Sequence, residues 1–142
     1  MADGTRPPYV RDGNETATPY LSVDGADRLI DFLGAAFDGV LEYRHDRDDG
    51  TIGNAQVRLG ASLVMISDAA ANWPAWPSRV YLFVPDVDEA YERALEHGGA
   101  TLMEPLDEDY GDRVAGVVDP LGNQWWLATS LASLDQHSKP AG

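Results

Sequence analysis

Apolar and polar positions change period repeatedly along this chain, and each change marks an element. Ile52–Leu59 alternates: Ala55, Val57 and Leu59 fall on one side and Asn54, Gln56 and Arg58 on the other, the period-two pattern of a strand with one buried face. Leu29, Ile30, Leu33 and Phe37 recur instead at helical spacing, predicting a helix to about Phe37 with Asp24 as its N-cap. Residues 18–23, 40–44 and 63–66 read as further strands, and 45–50 as a charged turn. The same grammar then returns. Residues 79–84 read as a strand, and Asp86 with Glu89 opens a helix in capping-box spacing. Val87, Ala90, Tyr91, Ala94 and Leu95 keep helical spacing up to Gly98, a good C-terminal stop. Strands follow at 101–103, 113–118 and 124–129. Both stretches read β-α-β-β-β.

Two short phrases carry the repetition. Tyr20-Leu21-Ser22-Val23 returns as Tyr81-Leu82-Phe83-Val84, and Leu59-Gly60 as Leu121-Gly122, at offsets of 61 and 62 residues. A unit of about sixty residues is longer than the roughly 20–50 of solenoid repeats, so two copies of one small α+β module are expected within a single domain. The predicted organisation is a flexible arm over 1–17, one domain over 18–130 and a flexible tail over 131–142. The domain divides into a first module at about 18–68, a linker at 69–78 and a second module at about 79–130. The linker contains Trp73-Pro74-Ala75-Trp76-Pro77, two tryptophans each followed by a proline.

Composition narrows the function classes. At 142 residues the chain suits one domain with a real core. It has no cysteine, which excludes disulfides and thiolate metal sites. No long apolar run predicts a membrane span, and the opening residues do not resemble a signal peptide, so a cytoplasmic location is expected. The net charge of -14 argues against a nucleic-acid partner. It is read as solubility, with attraction of a cationic ligand as the sharper alternative.

The phrases Thr18-Pro19-Tyr20-Leu21, Ile52-Gly53-Asn54-Ala55-Gln56-Val57, Tyr110-Gly111-Asp112-Arg113 and Asp119-Pro120-Leu121-Gly122-Asn123-Gln124-Trp125 resemble the vicinal-oxygen-chelate superfamily. That superfamily includes glyoxalase I, bleomycin-resistance proteins and extradiol dioxygenases, and the match is nearest its PhnB-like branch. The resemblance implies an α+β fold in which two βαβββ modules form a curved mixed sheet around a cavity, with helices on the convex side. It also implies a homodimer. In metal-dependent members the ligand positions correspond to Thr18, Val64, Arg79 and Trp126, none a usual donor. Asn54 and Gln56 stand where the PhnB-like branch often has His and Glu. His45, His97 and His137 share no module pairwise. No metal cofactor is therefore expected, unless a divalent ion uses relocated ligands drawn from Glu42, Gln56, Asp112 and Asp119.

Strand alternation then names the expected cavity lining: Tyr20, Ser22, Asn54, Gln56, Arg58, Arg79, Tyr81, Phe83, Gln124 and Trp126, with Trp73, Trp76, Tyr110 and Arg113 as further candidates. Trp125 and Phe37 are assigned to the core. Aromatic walls with a few directional polar groups suit a planar, partly polar ligand. Arg79 is read as an anchor for a carboxylate or phosphate, as a cation stacked on Trp126, or as one half of a surface ion pair. No nucleophile with an attendant base is evident, and no catalytic residue is assigned. The leading expectation is a metal-free protein that binds or sequesters a small aromatic or cationic molecule, as bleomycin-resistance proteins do. The alternatives are a metal-dependent lyase, isomerase or dioxygenase with relocated ligands, and a dimeric interaction protein with a vestigial pocket.

Overall fold

A computed structural model describes residues 6–133; the rest of the predicted tail, with His137, lies outside the described residues. The first module runs β1 (Tyr20–Val23), α1 (Ala26–Phe37), β2 (Val40–Asp46), β3 (Ile52–Leu59) and β4 (Ser62–Asp68). The second runs β5 (Arg79–Phe83), α2 (Val87–Glu96), β6 (Ala100–Asp107), β7 (Asp112–Val118) and β8 (Gln124–Ser130). Each module folds into a four-stranded mixed sheet, in order β1-β4-β3-β2 and β5-β8-β7-β6. The first and last strands of each module pair in parallel, and the other pairs are antiparallel. This is the expected α+β architecture of two βαβββ modules; the two sheets do not close on each other through strand pairing.

One hydrophobic layer joins the modules. Leu21, Val23, Val57, Val64 and Ile66 from the first sheet pack with Leu29, Leu33 and Phe37 of α1, and the layer continues through Val87, Ala90 and Ala94 of α2 to Val117, Trp125 and Leu127. Phe37 meets Trp125 at 5.6 Å between ring centroids. The Arg93 guanidinium of α2 donates to the Ala35 carbonyl at 2.7 Å and to Asp38 at 2.8 Å, so a cation of one module closes the C-terminal end of the other's helix. Asp38 is held below the usual carboxylate range by that contact.

Caps and connections decide where elements start. Asp86 accepts from the Glu89 amide at 3.1 Å and caps α2 as predicted. Asp24 does not cap α1. Gly25 occupies the N-cap at φ 125°, and the Ala26 amide donates to Asp68 at 2.8 Å. Asp68 also takes the Ile52 amide at 2.7 Å, so a long-range carboxylate at the end of β4 replaces the local one. The arm expected over 1–17 is laid against the first sheet in its described part. Val10 is buried, the Arg58 guanidinium donates to the Gly13 carbonyl at 3.1 Å, and Tyr9, Val10, Thr16 and Met65 border a recess of about 310 Å³.

The connection from β7 to β8 is built on one buried carboxylate. Asp119 accepts from the Leu121 amide at 2.8 Å, the Asn123 amide at 3.1 Å and the Trp125 indole N–H at 2.8 Å. Asn123, fully buried, donates its side-chain amide to Asp119 and accepts from the Ser78 amide at 3.0 Å. The Asp119–Trp125 segment that resembles the superfamily is therefore a structural lock. Replacing Asp119 with Ala orphans several buried donors together. Urea unfolding followed by fluorescence should show a loss of roughly 3 kcal/mol or more, with the midpoint shifted at an unchanged slope.

Candidate functional site

Alternation in β8 sends Trp125 and Leu127 into the core and leaves Gln124 and Trp126 on the opposite face. The ladder sets their neighbours: Arg79 pairs with Gln124, Tyr81 with Trp126, and Gly116 of β7 with Trp126 from the other side. A Cβ on Gly116 would sit within 2.9 Å of three ring carbons of Trp126, the nearest at 2.6 Å. The benzo ring thus rests directly over glycine backbone, a place no side chain can share. The Trp126 indole N–H donates to Gln124 Oε1 at 3.1 Å, which fixes the ring's rotation. The result is an aromatic platform lying along the sheet.

Around it the face is open and aromatic. Tyr81 and Phe83 meet edge to face at 5.5 Å, and Phe83 and Tyr110 are 64% and 65% exposed. The Tyr81 hydroxyl donates to Asp112 at 2.7 Å and lies 3.5 Å from that of Tyr110. Desolvation of the hydroxyl, then these hydrogen bonds and the Asp112 charge, push the half-exposed Tyr81 phenol above its usual range. Arg79 is exposed and has no ion pair or hydrogen bond among the described residues.

The equivalent face of the first sheet is partly covered by its own chain. Tyr20, 42% exposed, packs edge-on against Trp73 at 5.6 Å, accepts from Asn54 at 3.3 Å and donates to the Gly53 carbonyl at 3.4 Å. Ser22 is buried where the linker crosses. The Trp73 indole N–H donates to Ser67 at 3.2 Å, and the Trp76 amide to the Ser22 carbonyl at 3.0 Å. The Trp76 side chain itself is 74% exposed. Gln56 is buried, and its register partner on β4 is Met65.

Several expectations change. Val64 is a core residue; the counterpart of Trp126 is Met65, which pairs with Tyr20 as Trp126 pairs with Tyr81. An offset of 61 holds through the last strand, and a slip of one residue reverses the face. Arg113 points to the helix side, donating to Asp88 at 3.0 Å and Asp107 at 2.9 Å, because its neighbour Asp112 takes the open face. Arg58 is held by Glu42 at 2.9 and 3.1 Å; it shares with Phe83 a cleft of about 340 Å³ between the modules. Of the proposed relocated ligands, Glu42 and Asp119 are thus engaged in an ion pair and a structural lock. Thr18, Met65, Arg79 and Trp126 together form a donor set that does not fit a divalent cation, and no group of three His, Asp or Glu among the described residues is arranged to hold one. Gly116 was legible as a lone glycine inside an apolar strand, a mark of close approach, but sequence reasoning did not use it.

The Tyr81 phenol has a testable consequence. Its raised folded pKa means that its contribution to stability is present below the ordinary tyrosine value of about 10 and is lost as pH rises beyond it toward the folded value. In a spectrophotometric titration of the folded protein, Tyr81→Phe should remove absorbance from the late, high-pH part of the tyrosinate curve. Loss from the early part of the curve would mean that the phenol ionises normally.

Comparison with known proteins agrees with the fold. Residues 14–127 match the family model of the glyoxalase/bleomycin resistance protein/dioxygenase superfamily. The uncharacterized protein Rv0887c of Mycobacterium tuberculosis is 33% identical over 129 residues, covering 83% of this chain and 76% of that protein. Among solved structures, TioX from Micromonospora sp. ML1 superposes with a TM-score of 0.66 at 25% identity, covering 80% of this chain and 94% of that one. The PhnB protein from Bacillus cereus superposes with a TM-score of 0.63 at 19% identity, covering 82% and 100%. With its two βαβββ modules and a family match across most of its length, the chain belongs to the glyoxalase/bleomycin resistance protein/dioxygenase superfamily.

Proposed function

We propose that this protein binds a small planar molecule on the open face of the second sheet, with Trp126 as the stacking platform. The observation that carries this reading is the pairing of Trp126 with Gly116, where the nearest ring carbon would lie 2.6 Å from a Cβ. A glycine at that point of the strand forgoes side-chain packing, and it lets the indole lie along the sheet and offer a π-face to a ligand. Tyr81, Phe83 and Tyr110 supply further aromatic walls, and Gln124, Asp112 and Arg79 the polar groups that orient a ligand. Binding is favoured over catalysis because the side chains on this face present stacking and hydrogen bonding, and no nucleophile paired with a base.

A ligand stacked on one open sheet remains exposed to water on its outer side, and binding sites for small molecules enclose most of the ligand. A second copy of the chain laid over this face completes the enclosure, and the exposure of Tyr81 at 45%, Phe83 at 64% and Leu106 at 46% is the apolar surface it would cover. The functional unit is accordingly a homodimer with Phe83 at its interface.

Two outcomes are expected. In a thermal-shift screen of planar aromatic compounds, those that raise the melting temperature of the wild-type protein should lose that effect with Trp126→Ala. Gly116→Ala, which displaces the ring, should weaken the same compounds by about tenfold or more. Compounds that stabilise both variants as well as wild type would move the site elsewhere. For the dimer, sedimentation equilibrium should give about twice the 15.4 kDa chain mass, and Phe83→Asp should return the chain mass while far-UV circular dichroism is retained.

A further inference from the structure

We infer that Arg79 is an anion anchor, and that the ligand class of this face is a planar aromatic acid: a ring stacked on Trp126 and a carboxylate on a short spacer. The inference rests on the binding reading above and sharpens it.

The arginines of this chain are mostly committed. Arg44, Arg58, Arg93 and Arg113 meet carboxylates at 2.6, 2.9, 2.8 and 2.9 Å. Arg47 spends its guanidinium on Thr51 and the Asp68 carbonyl. Arg79, like Arg28 on α1 and Arg11 in the N-terminal arm, has no such partner among the described residues, and of the three it is the one on the second sheet. Its neighbours on the strand ladder are amide and aromatic, Gln124 opposite and Tyr81 two residues on. A guanidinium left without a carboxylate beside a stacking platform is an open position for one.

Register gives the ligand its shape. Arg79 lies opposite Gln124, and the platform residue Trp126 is two residues further along β8 on the same face. Two residues of strand span about 6.6 Å and adjacent strands lie about 4.8 Å apart. A ring on Trp126 and a guanidinium from Arg79 are therefore close enough for one small ligand to meet both across a short spacer. The carboxylate on this face, Asp112, stands opposite Ser130 at the far end of the β7–β8 ladder and accepts from Tyr81 at 2.7 Å. It neither neutralises Arg79 nor sits where the spacer would end. Arginine stays charged throughout the working pH range and offers a planar fork that matches a carboxylate in two hydrogen bonds.

Three probes with one ring and closely matched side arms separate the possibilities: indole-3-acetate, indole-3-acetamide and tryptamine, titrated calorimetrically against the full chain at fixed ionic strength. The expected order is indole-3-acetate tightest, by about tenfold over the amide, with tryptamine weakest. Arg79→Gln should bring the acetate down to the amide while leaving the amide unchanged, and Arg79→Lys should fall between. A preference for tryptamine, or an acetate-to-amide ratio unmoved by Arg79→Gln, would overturn the anchor and leave the aromatic platform standing. Failure of all three probes on the wild-type protein would remove the platform reading and the anchor with it.

Discussion

A buried tryptophan needs a partner for its indole N–H, and in this fold everything around the site follows from how that need is met. Trp125 is fully buried and donates to Asp119. A carboxylate placed there has spare acceptor capacity, and the amides of Leu121 and Asn123 take it up. Asn123, tied to Asp119, reaches across to the amide of Ser78, the residue before β5. That one bond from the β7–β8 loop sets where the first strand of the module meets the last. Arg79 then falls opposite Gln124 and Tyr81 opposite Trp126. With Trp125 inward, strand geometry sends Trp126 outward, and Gly116 is where its ring comes to rest. The open aromatic face is a consequence of the core, one residue out of phase with it.

Duplication would lead one to expect two equivalent faces, but the chain treats them differently. In the first module the position of Trp126 is taken by Met65, the described part of the N-terminal arm lies beside it, and the linker crosses Ser22 and Ser67 with Trp73. Arg58 is consumed by Glu42 and by the arm. In the second module the corresponding strands carry an indole where the first has Met65, a glycine beneath it, and an arginine with no carboxylate partner among the described residues. One face of the repeat is covered by its own chain, and the other, where we propose the site, is left open. Symmetry in the backbone therefore does not predict symmetry in the chemistry.

Much of this was legible from residue order, and the failures have common causes. Both helices, all eight strands and the core assignment of Trp125 and Phe37 follow from local periodicity, since alternation and helical spacing reflect burial on one side of each element. Asp86 was readable as a cap because its partner is three residues away. Asp24 was misread because the group that replaces it, Asp68, is distant in sequence and adjacent only in the folded sheet. The error at Val64 came from aligning Leu59-Gly60 with Leu121-Gly122. The first pair sits in a tight hairpin and the second in the longer loop around Asp119, so the phrases match while the strands after them do not. Arg113 was a candidate from its place near the pocket mouth, but its partners Asp88 and Asp107 are visible only in the fold, and Asp112 beside it takes the open face. Where facing depends on parity, a slip of one residue reverses it.

The strong acidity of the chain would suit a cationic ligand, and the distribution of charge favours the anionic one proposed above. A net charge acts at long range and is screened over about 8 Å at physiological salt, whereas a bound ligand responds to the groups it touches. Acidic groups such as Asp27, Asp38, Glu42, Asp46, Asp88 and Asp107 are paired with arginines on edge strands, helix ends and turns. On the open face the local account is different: Asp112 is occupied by Tyr81, and Arg79 is the charge left unanswered. On the proposed reading, an acidic exterior disfavours anions except where a directed contact such as that of Arg79 offsets the repulsion. A carboxylate with no ring to stack gains too little to approach, and a ring with no carboxylate leaves the arginine unused. On the proposed reading, the ring supplies the binding and the carboxylate adds the selectivity, which is how this face would discriminate among small molecules.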